Sequence, residues 1–245
     1  ITGEAVHSLG FNMNYAPVLD INSNPNNPVI GERAFGTDVK TVTESGIPMM
    51  RGLQASGVIP VVKHFPGHGD TSVDSHLDLP EINKSLQELK AFELIPFAEA
   101  AEQGADVVMI AHILLSSIDS QYPASLSETM ITSLLREEMG FEGVVITDDL
   151  TMGGITEHYE IAEAAVQSLK AGSDIVMVAH GFERAADVFQ AVKSAVDQGE
   201  ISIEELDERV YRVLQLKHKY ELPNQPVSEA ELDELNERIR NLTSQ

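Results

Sequence analysis

Five short apolar segments, each ending at polar or charged residues, constrain the fold of this chain more than any other feature. The residues at their ends are Asp20, Lys63 with His64, His112, Asp148 and, more weakly, His180. The segments alternate with predicted helices and show no regular polar face, a pattern typical of parallel strands covered by helices. The sequence therefore predicts an α/β fold built on a parallel sheet.

The predicted strands lie at 11–21, 58–63, 105–111, 143–147 and 174–178, and the main predicted helices at 39–56, 83–103, 127–139, 158–171, 182–198 and 202–220. Asn83 and Ser127 are the predicted N-caps. Gly46 and Pro48 are expected to weaken or kink the first of these helices. A doubly wound sheet would also place ligands at strand ends, but the chain has no GxGxxG or GxxxxGK loop. We therefore predict a (β/α)8-type TIM barrel.

The number of strands indicates that this barrel is incomplete. A closed barrel of this type has about eight strands, whereas the pattern predicts five, and Ile1 precedes what resembles the end of a helix. We expect the chain to lack the first strand–helix units. We assign residues 1–222 to the barrel domain and the polar, acidic residues 223–245 to a C-terminal helix or a linker that could lead to a further domain.

The acidic composition narrows the classes of partner. The chain has 39 acidic and 16 basic residues and a formal net charge of -23, which disfavours nucleic acids and anionic membrane surfaces. No apolar run approaches the roughly 20 residues of a membrane helix. The absence of cysteine excludes thiolate metal sites. Composition leaves the oligomeric state open, and it fits a cytoplasmic location as well as export.

The densest group of chemically active side chains lies in residues 61–80, VVKHFPGHGDTSVDSHLDLP. Pro66, Gly67 and Gly69 exclude a helix, so the residues after the strand are predicted to form a loop, called here the histidine loop (residues 66–80). In a barrel, the carboxyl ends of all strands point to one face, where active sites are assembled. The sequence thus predicts a site at this face.

Two elements of the predicted site are suited to catalysis. Asp148 directly follows an apolar strand, and a fixed, ionised carboxylate suits a nucleophile or a general base. Its neighbour Asp149 is expected to cap the following turn. Asp74 and His76 are two residues apart, so the carboxylate can hold one imidazole nitrogen and leave the other to transfer protons.

Other side chains are predicted to bind a ligand or to hold the loop. Arg33, Lys63 and His64 provide donors for ligand hydroxyls or carbonyls, and their charge favours an ionised Asp148. His68 lies between two glycines and is expected to hold the turn. For His112, ligand contact and packing behind the site are equally compatible with the sequence.

Two alternatives to catalysis by Asp148 and His76 follow from the same residues. A metal-dependent hydrolase would use side chains of residues 64–76, namely His64, His68, Asp70, Asp74 and His76. The His-x3-His spacing resembles a zinc motif only on a helix, which Pro66 and Gly67 exclude. A barrel that binds its ligand without catalysis is the second alternative. We predict a reaction that needs neither a metal ion nor a cofactor.

Two long motifs resemble glycoside hydrolase family 3, specifically its NagZ-like β-N-acetylhexosaminidases of peptidoglycan turnover. These motifs are KHFPGHGDTSVDSH and LLREEMGFEGVVITDD, and shorter similarities are APVLDI, GERAFG and MIAHI. The similarity runs from about residue 15 to residue 178. The family also has an Asp-Gln/Glu-Glu-Gly-Gly type segment that helps to bind sugar, and nothing in this chain matches it.

The resemblance implies a role for each matching residue. It makes Asp148 the nucleophile, His76 the general acid/base and Asp74 the partner of His76. It makes Arg33, Lys63 and His64 sugar-binding residues, and it supports Asp20 and His112 more weakly. The expected substrate is a small carbohydrate with a terminal β-linked N-acetylglucosamine, such as a muropeptide or a chitin-like oligosaccharide. The expected reaction proceeds with retention through a covalent glycosyl-enzyme. With a sugar as the ligand, the second alternative given above is a non-catalytic sugar-binding barrel.

Overall fold

A parallel sheet of five strands, in the order β1 to β5, forms the centre of the molecule. The computed structural model describes residues 1–222, 236–237 and 239–240. The strands are β1 (Met13–Asn14), β2 (Ile59–Phe65), β3 (Val107–Ile110), β4 (Val144–Asp149) and β5 (Ile175–Met177). The sheet is curled and forms part of a TIM barrel. The predicted fold class is confirmed.

Helices follow the strands in the predicted alternation. The α-helices are α1 (Thr2–Ser8), α2 (Val39–Ala55), α3 (Leu86–Ala91), α4 (Ile95–Glu102), α5 (Gly153–Thr156), α6 (Ile161–Ala171), α7 (Phe182–Asp197) and α8 (Ile203–Lys219). A π-helix spans Thr129–Glu138, and short 3₁₀ helices span Gly31–Arg33 and Ala124–Leu126. In the described part of the chain, no helix is long and apolar enough to span a membrane.

The predicted C-terminal segment 223–245 lies almost entirely outside the described residues. The division of the chain at residue 222 therefore stays a prediction.

Alternate residues of the central strands pack into two different hydrophobic cores. Val62, Val108 and Val145 belong to the large core, together with buried residues of α2, α4 and the π-helix. Val61, Val107 and Val144 belong to a second core, which Leu216 of α8 completes. Both faces of the strands are thus buried, which explains why their sequences are continuously apolar.

Two predicted elements differ from the structure at proline residues. The predicted strand 11–21 is regular only at β1 and then continues as an isolated bridge between Val18 and Lys63. Pro17 has no N–H for the strand ladder, which accounts for the interruption. The predicted helix 83–103 is two helices, because Pro96 begins the first turn of α4. Ser85, rather than Asn83, caps α3.

Helix α2 spans Gly46 and Pro48, the two residues that were expected to weaken or kink it, without a break. A Cβ atom at Gly46 would lie 2.4 Å from Leu19 Cδ2. Glycine at this position therefore lets α2 pack closely against the segment that leads to Asp20. The close packing offsets the lower helix propensity of Gly46.

Candidate active site

The carboxylate of Asp20 organises one side of the candidate site. Asp20 is fully buried and accepts a hydrogen bond from His64 Nδ1 at 2.7 Å and another from the His68 backbone N–H at 2.7 Å. Arg33 Nη2 donates to His64 Nε2 at 3.2 Å. Because arginine has no acceptor, His64 Nε2 must accept, and its proton lies on Nδ1, facing Asp20.

The same contacts keep Asp20 ionised. Burial by itself would raise the pKa of this carboxyl. The bond with His64 and the His68 N–H outweigh burial and hold the pKa of Asp20 below its ordinary value. Asp20 is thus an anion that holds His64 and the His68 backbone, rather than a proton donor.

Asp148 lies near the end of β4 with an accessible, ionised carboxylate. Burial tends to raise its pKa, but His64, His112, the Asp149 N–H and Lys63 lower it, so that the pKa lies below the ordinary value. Among the described residues, the one hydrogen bond to this carboxylate comes from the Asp149 N–H at 2.9 Å. The carboxylate therefore retains acceptor capacity for a substrate atom.

Lys63 contributes positive charge to the same place. Burial and the nearby Arg33 lower the pKa of Lys63, and the charges of Asp148 and Asp20 oppose this shift. No described residue forms a hydrogen bond or a close ion pair with the Lys63 ammonium. This side chain is therefore available to a ligand beside Asp148.

Asp149 and His112 hold the backbone around Asp148. Asp149 accepts hydrogen bonds from the N–H groups of Thr151 at 3.0 Å and Ala179 at 2.9 Å, which confirms its predicted capping role. His112 is buried, and burial lowers its pKa. Its Nε2 donates to the Asp149 carbonyl at 3.0 Å, and its Nδ1 contacts Ser125 Oγ at 2.7 Å. Both ring nitrogens of His112 thus have partners within the protein.

Asp74 and His76 form the predicted pair on the histidine loop. Asp74 Oδ1 accepts from the His76 backbone N–H at 2.9 Å and from His76 Nδ1 at 2.8 Å. Burial by itself would raise the pKa of Asp74, but the hydrogen bonds and charge of His76 together outweigh it, so the pKa lies below its ordinary value. The imidazole is largely exposed, with 60% of its side chain accessible, and its described contacts leave Nε2 to solvent. The pair can therefore hold or release a proton at Nε2.

The structure gathers the predicted residues into two groups. Asp20, Arg33, Lys63, His64, His112 and Asp148 lie together at the strand ends. His76 lies outside this cluster, and no described contact joins its side chain to Asp148. The loop backbone nevertheless contacts the turn after β4, because Gly153 N–H donates to the His76 carbonyl at 3.1 Å.

The potential metal ligands of the histidine loop point to separate partners. His68 bonds to Thr71 and Ser75, while Asp70 pairs with Lys84 at 2.6 Å. In the described part of the chain, no group of three or more His, Asp or Glu side chains converges as a metal site would require. The arrangement of the donors therefore does not fit the metal alternative.

Sequence reasoning missed the contacts that support the histidine loop from below. Lys84 bridges Asp70 and the buried Glu93 through contacts of 2.6 and 2.5 Å. Ser75, a residue of the loop itself, is buried. No spacing in the sequence links Ser75 to His68 or Lys84 to Glu93. Glycines were the visible signal of close approaches, namely Gly67 beside Glu93, Gly69 beside the Ile21 carbonyl, and Gly153 and Gly154 beside the loop backbone.

The family model described as "Glycosyl hydrolase family 3 N terminal domain" matches residues 1–216. The chain belongs to glycosyl hydrolase family 3. The family resemblance predicted from the two long motifs is therefore confirmed.

Individual relatives agree with the family 3 assignment. Beta-hexosaminidase A of Pseudoalteromonas piscicida is 34% identical over 257 residues, which cover 98% of this chain and 42% of that protein. A beta-hexosaminidase of Neisseria meningitidis serogroup C is 41% identical over 169 residues, covering 69% and 46% of the two chains. The chain spans about half the length of the curated relatives it matches.

A solved family 3 structure has the same fold. It is a β-N-acetylglucosaminidase from Paenibacillus sp. str. FPU-7, with a TM-score of 0.90 and 44% sequence identity. The match covers 93% of this chain and 44% of that chain. The strand-end cluster described above thus belongs to a fold that a β-N-acetylglucosaminidase also uses.

Proposed function

We propose that the protein is a retaining β-N-acetylhexosaminidase that releases terminal β-linked N-acetylglucosamine from peptidoglycan-derived or chitin-like saccharides. The observation that carries this proposal is the position of Asp148. Its carboxylate is ionised, has few protein partners and lies beside Lys63 and His64 at the carboxyl end of β4. The names of the relatives, beta-hexosaminidase and β-N-acetylglucosaminidase, support the same substrate class.

In the first step, a carboxylate oxygen of Asp148 attacks the anomeric carbon, and the bond to the leaving oxygen breaks. His76, doubly protonated at that moment, gives its Nε2 proton to the leaving oxygen. The product is a covalent glycosyl-enzyme on Asp148.

In the second step, the now neutral Nε2 of His76 takes a proton from water, and the water oxygen attacks the anomeric carbon. Asp148 leaves as a carboxylate. Two inversions at the same carbon give net retention. Asp74 holds Nδ1–H throughout, so that Nε2 is the nitrogen that exchanges protons.

A histidine has a physical advantage in this role. Glycosidases commonly use two carboxylates, and the second would place another negative charge near Asp148 during hydrolysis of the intermediate. A neutral imidazole removes a proton from water without adding an anion. The lowered pKa of Asp74 keeps a carboxylate at Nδ1, the nitrogen that does not exchange protons.

Sugar binding is assigned to the cationic side of the cluster. Arg33 and Lys63 can donate to sugar hydroxyls, and His64, which Asp20 holds through Nδ1–H, offers Nε2 as an acceptor on the same side. His112 supports the site indirectly, because its ring holds the Asp149 carbonyl next to the nucleophile.

Hydrolysis of two aryl glycosides tests the proposal in the complete protein. An aryl N-acetyl-β-glucosaminide should be cleaved with a larger kcat/KM than the matching aryl β-glucoside, and NMR should detect the β-anomer of the released sugar first. Preference for the glucoside would contradict the substrate class. Initial appearance of the α-anomer would contradict the retaining mechanism.

The natural substrate class can be tested in the same way. Muropeptides and chitin oligosaccharides with a terminal N-acetylglucosamine should both release this sugar, and chelation of metal ions before the assay should leave the rate unchanged. Loss of activity on chelation, with recovery on addition of a metal ion, would favour the metal alternative.

A further inference from the structure

Ser75 lies between Asp74 and His76 in the sequence, but its side chain is buried, whereas theirs are partly exposed. Its residue is 2% exposed, whereas the side chains of Asp74 and His76 are 30% and 60% exposed. The Ser75 hydroxyl lies 2.9 Å from His68 Nε2. The buried Ser75 hydroxyl therefore links the segment that carries the exposed Asp74–His76 pair to His68 inside the protein.

The hydrogen bonds around His68 define the direction of this contact. Thr71 donates its hydroxyl proton to the His68 carbonyl at 3.0 Å, so Thr71 Oγ1 accepts from His68 Nδ1–H at 2.7 Å. Burial lowers the pKa of His68 to about 4, so the ring is neutral near pH 7. Its Nε2 then carries a lone pair and accepts the Ser75 hydroxyl proton.

Further hydrogen bonds link His68 to the proposed sugar-binding side of the cluster. The His68 backbone N–H donates to Asp20 Oδ1 at 2.7 Å, and Asp20 Oδ2 accepts from His64 at 2.7 Å. Asp20 thus serves as a common anchor for His64 and, through His68, for Ser75.

The backbone at Ser75 is held on its other side by the turn that follows the nucleophile. Gly154 N–H donates to the Ser75 carbonyl at 3.0 Å, and Gly153 N–H donates to the His76 carbonyl at 3.1 Å. A Cβ atom at Gly153 would lie 2.5 Å from the Leu77 carbonyl oxygen. The loop therefore contacts this turn more closely than a larger residue allows.

We propose that Ser75 and His68 are positioning residues, which fix the Asp74–His76 pair relative to Asp148 by holding the middle of the histidine loop. This inference rests on the proposed function, since it assigns the pair to proton transfer. The geometry favours it because the held residue is adjacent to both members of the pair, and the holding contacts come from Asp20 and from the turn after Asp148.

The Ser75→Ala variant tests the inference, and Ser72→Ala is the matched control. Ser72 is an exposed serine of the same loop, and no described residue forms a hydrogen bond with its side chain. Ser75→Ala removes the hydroxyl without adding volume. A displaced proton donor should lower kcat for an alkyl N-acetyl-β-glucosaminide by roughly ten- to a hundred-fold, with little change in KM. An activated aryl glycoside, which needs less protonation, should be affected much less.

Hydrogen exchange gives a readout that does not depend on activity. In Ser75→Ala, the peptide containing Gly153 and Gly154 should exchange faster than in the wild type and in Ser72→Ala, because the carbonyl acceptors move with the loop. Exchange at wild-type rates, or equal losses of kcat/KM on alkyl and aryl substrates, would overturn the inference, because kcat/KM reports the step in which the leaving group departs.

A His76→Ala reference separates the two levels of the argument. If His76→Ala shows the leaving-group dependence and Ser75→Ala behaves like Ser72→Ala, the positioning role is wrong and the proposed function stands. If His76→Ala itself lacks that dependence, the proton-transfer assignment fails, and the positioning role fails with it.

Discussion

A carboxylate lies at each end of the parallel sheet, but the two have very different surroundings. At the amino end, Asp174 accepts from Arg136 at 2.6 Å, from Arg212 at 2.8 Å and from the Val145 N–H at 2.7 Å. At the carboxyl end, Asp148 accepts one hydrogen bond among the described residues, from the Asp149 N–H. Lys63 lies nearby without a close described partner.

The difference indicates that the carboxylate at one end of the sheet stabilises the fold, while the one at the other end is available for chemistry. A buried carboxylate whose oxygens are saturated by cations and N–H groups cannot approach a substrate, and removing it leaves buried cations uncompensated. A carboxylate held ionised by nearby charge, with few direct donors, keeps its lone pairs available. We propose that the same residue type stabilises one end of the sheet and provides the reactive group at the other.

The largest expected effect comes from Asp148→Asn. Loss of the nucleophile should lower kcat on an aryl N-acetyl-β-glucosaminide by about 10⁴-fold or more, in line with nucleophile removal in other enzymes. Thermal unfolding should change little, because few protein contacts are lost. Substantial remaining turnover would show that the carboxyl end does not differ from the amino end in the proposed way.

The next largest effect is expected from His76→Ala. Removal of a general acid and base should slow hydrolysis of alkyl N-acetyl-β-glucosaminides by about 10²- to 10⁴-fold. Substrates with good leaving groups should lose less in the first step. A plot of log kcat/KM against leaving-group pKa should therefore become steeper than for the wild type. An unchanged slope would contradict the acid role.

Asp174→Asn is the counterpart of Asp148→Asn at the other end of the sheet. It leaves Arg136 and Arg212 without their shared carboxylate, and loss of one member of a buried ion pair costs about 3 to 5 kcal/mol. Denaturant unfolding should show this loss, while kcat per folded molecule stays near the wild-type value. A stable variant with low kcat would remove the distinction between the two ends.

The smallest predicted effect concerns pH and His68. Its pKa is about 4 in the folded protein, below the ordinary value of 6.5, because burial disfavours the charged ring. Below pH 6.5 the unfolded chain takes up a proton that the folded protein does not, so stability should fall as the pH drops towards 4. The full contribution is about 3 kcal/mol.

A His68→Gln variant provides the control for this pH dependence. Urea unfolding between pH 7 and pH 4.5 should show a steeper loss of stability in the wild type than in the variant. Parallel curves would show that His68 does not titrate as its burial implies. This range lies mostly above the window in which Asp20 and Asp148, whose pKa values are lowered, take up protons.

The sequence allowed the fold and one part of the site to be predicted, because these depend on local patterns. Continuous apolar runs identified the strands, and the residue after each run had to lie at one end of the sheet. The pairing of Asp74 with His76 followed from a separation of two residues. The break between α3 and α4 was not predicted, because the helical spacing of apolar residues continues past Pro96 and indicates one helix.

The remaining contacts depend on pairs that are distant in the chain. Asp20 meets His64 and His68 across more than 40 residues, and Gly153 meets His76 across more than 70. A single sequence contains no local signal for such pairs. Their partners are set by the curvature of the sheet and the path of the histidine loop, which is why Ser75 had no predicted role.

Mass spectrometry of a trapped intermediate tests the central assignment most directly. The complete protein would be incubated with a 5-fluoro N-acetylglucosaminyl fluoride, whose fluorine slows breakdown of a glycosyl-enzyme, and then digested with a protease. We predict that the peptide containing Asp148 gains the mass of one fluorinated sugar, with fragmentation placing the sugar on Asp148. A label on Asp149, Asp20 or Asp74, or turnover of the reagent without any labelled peptide, would contradict the account.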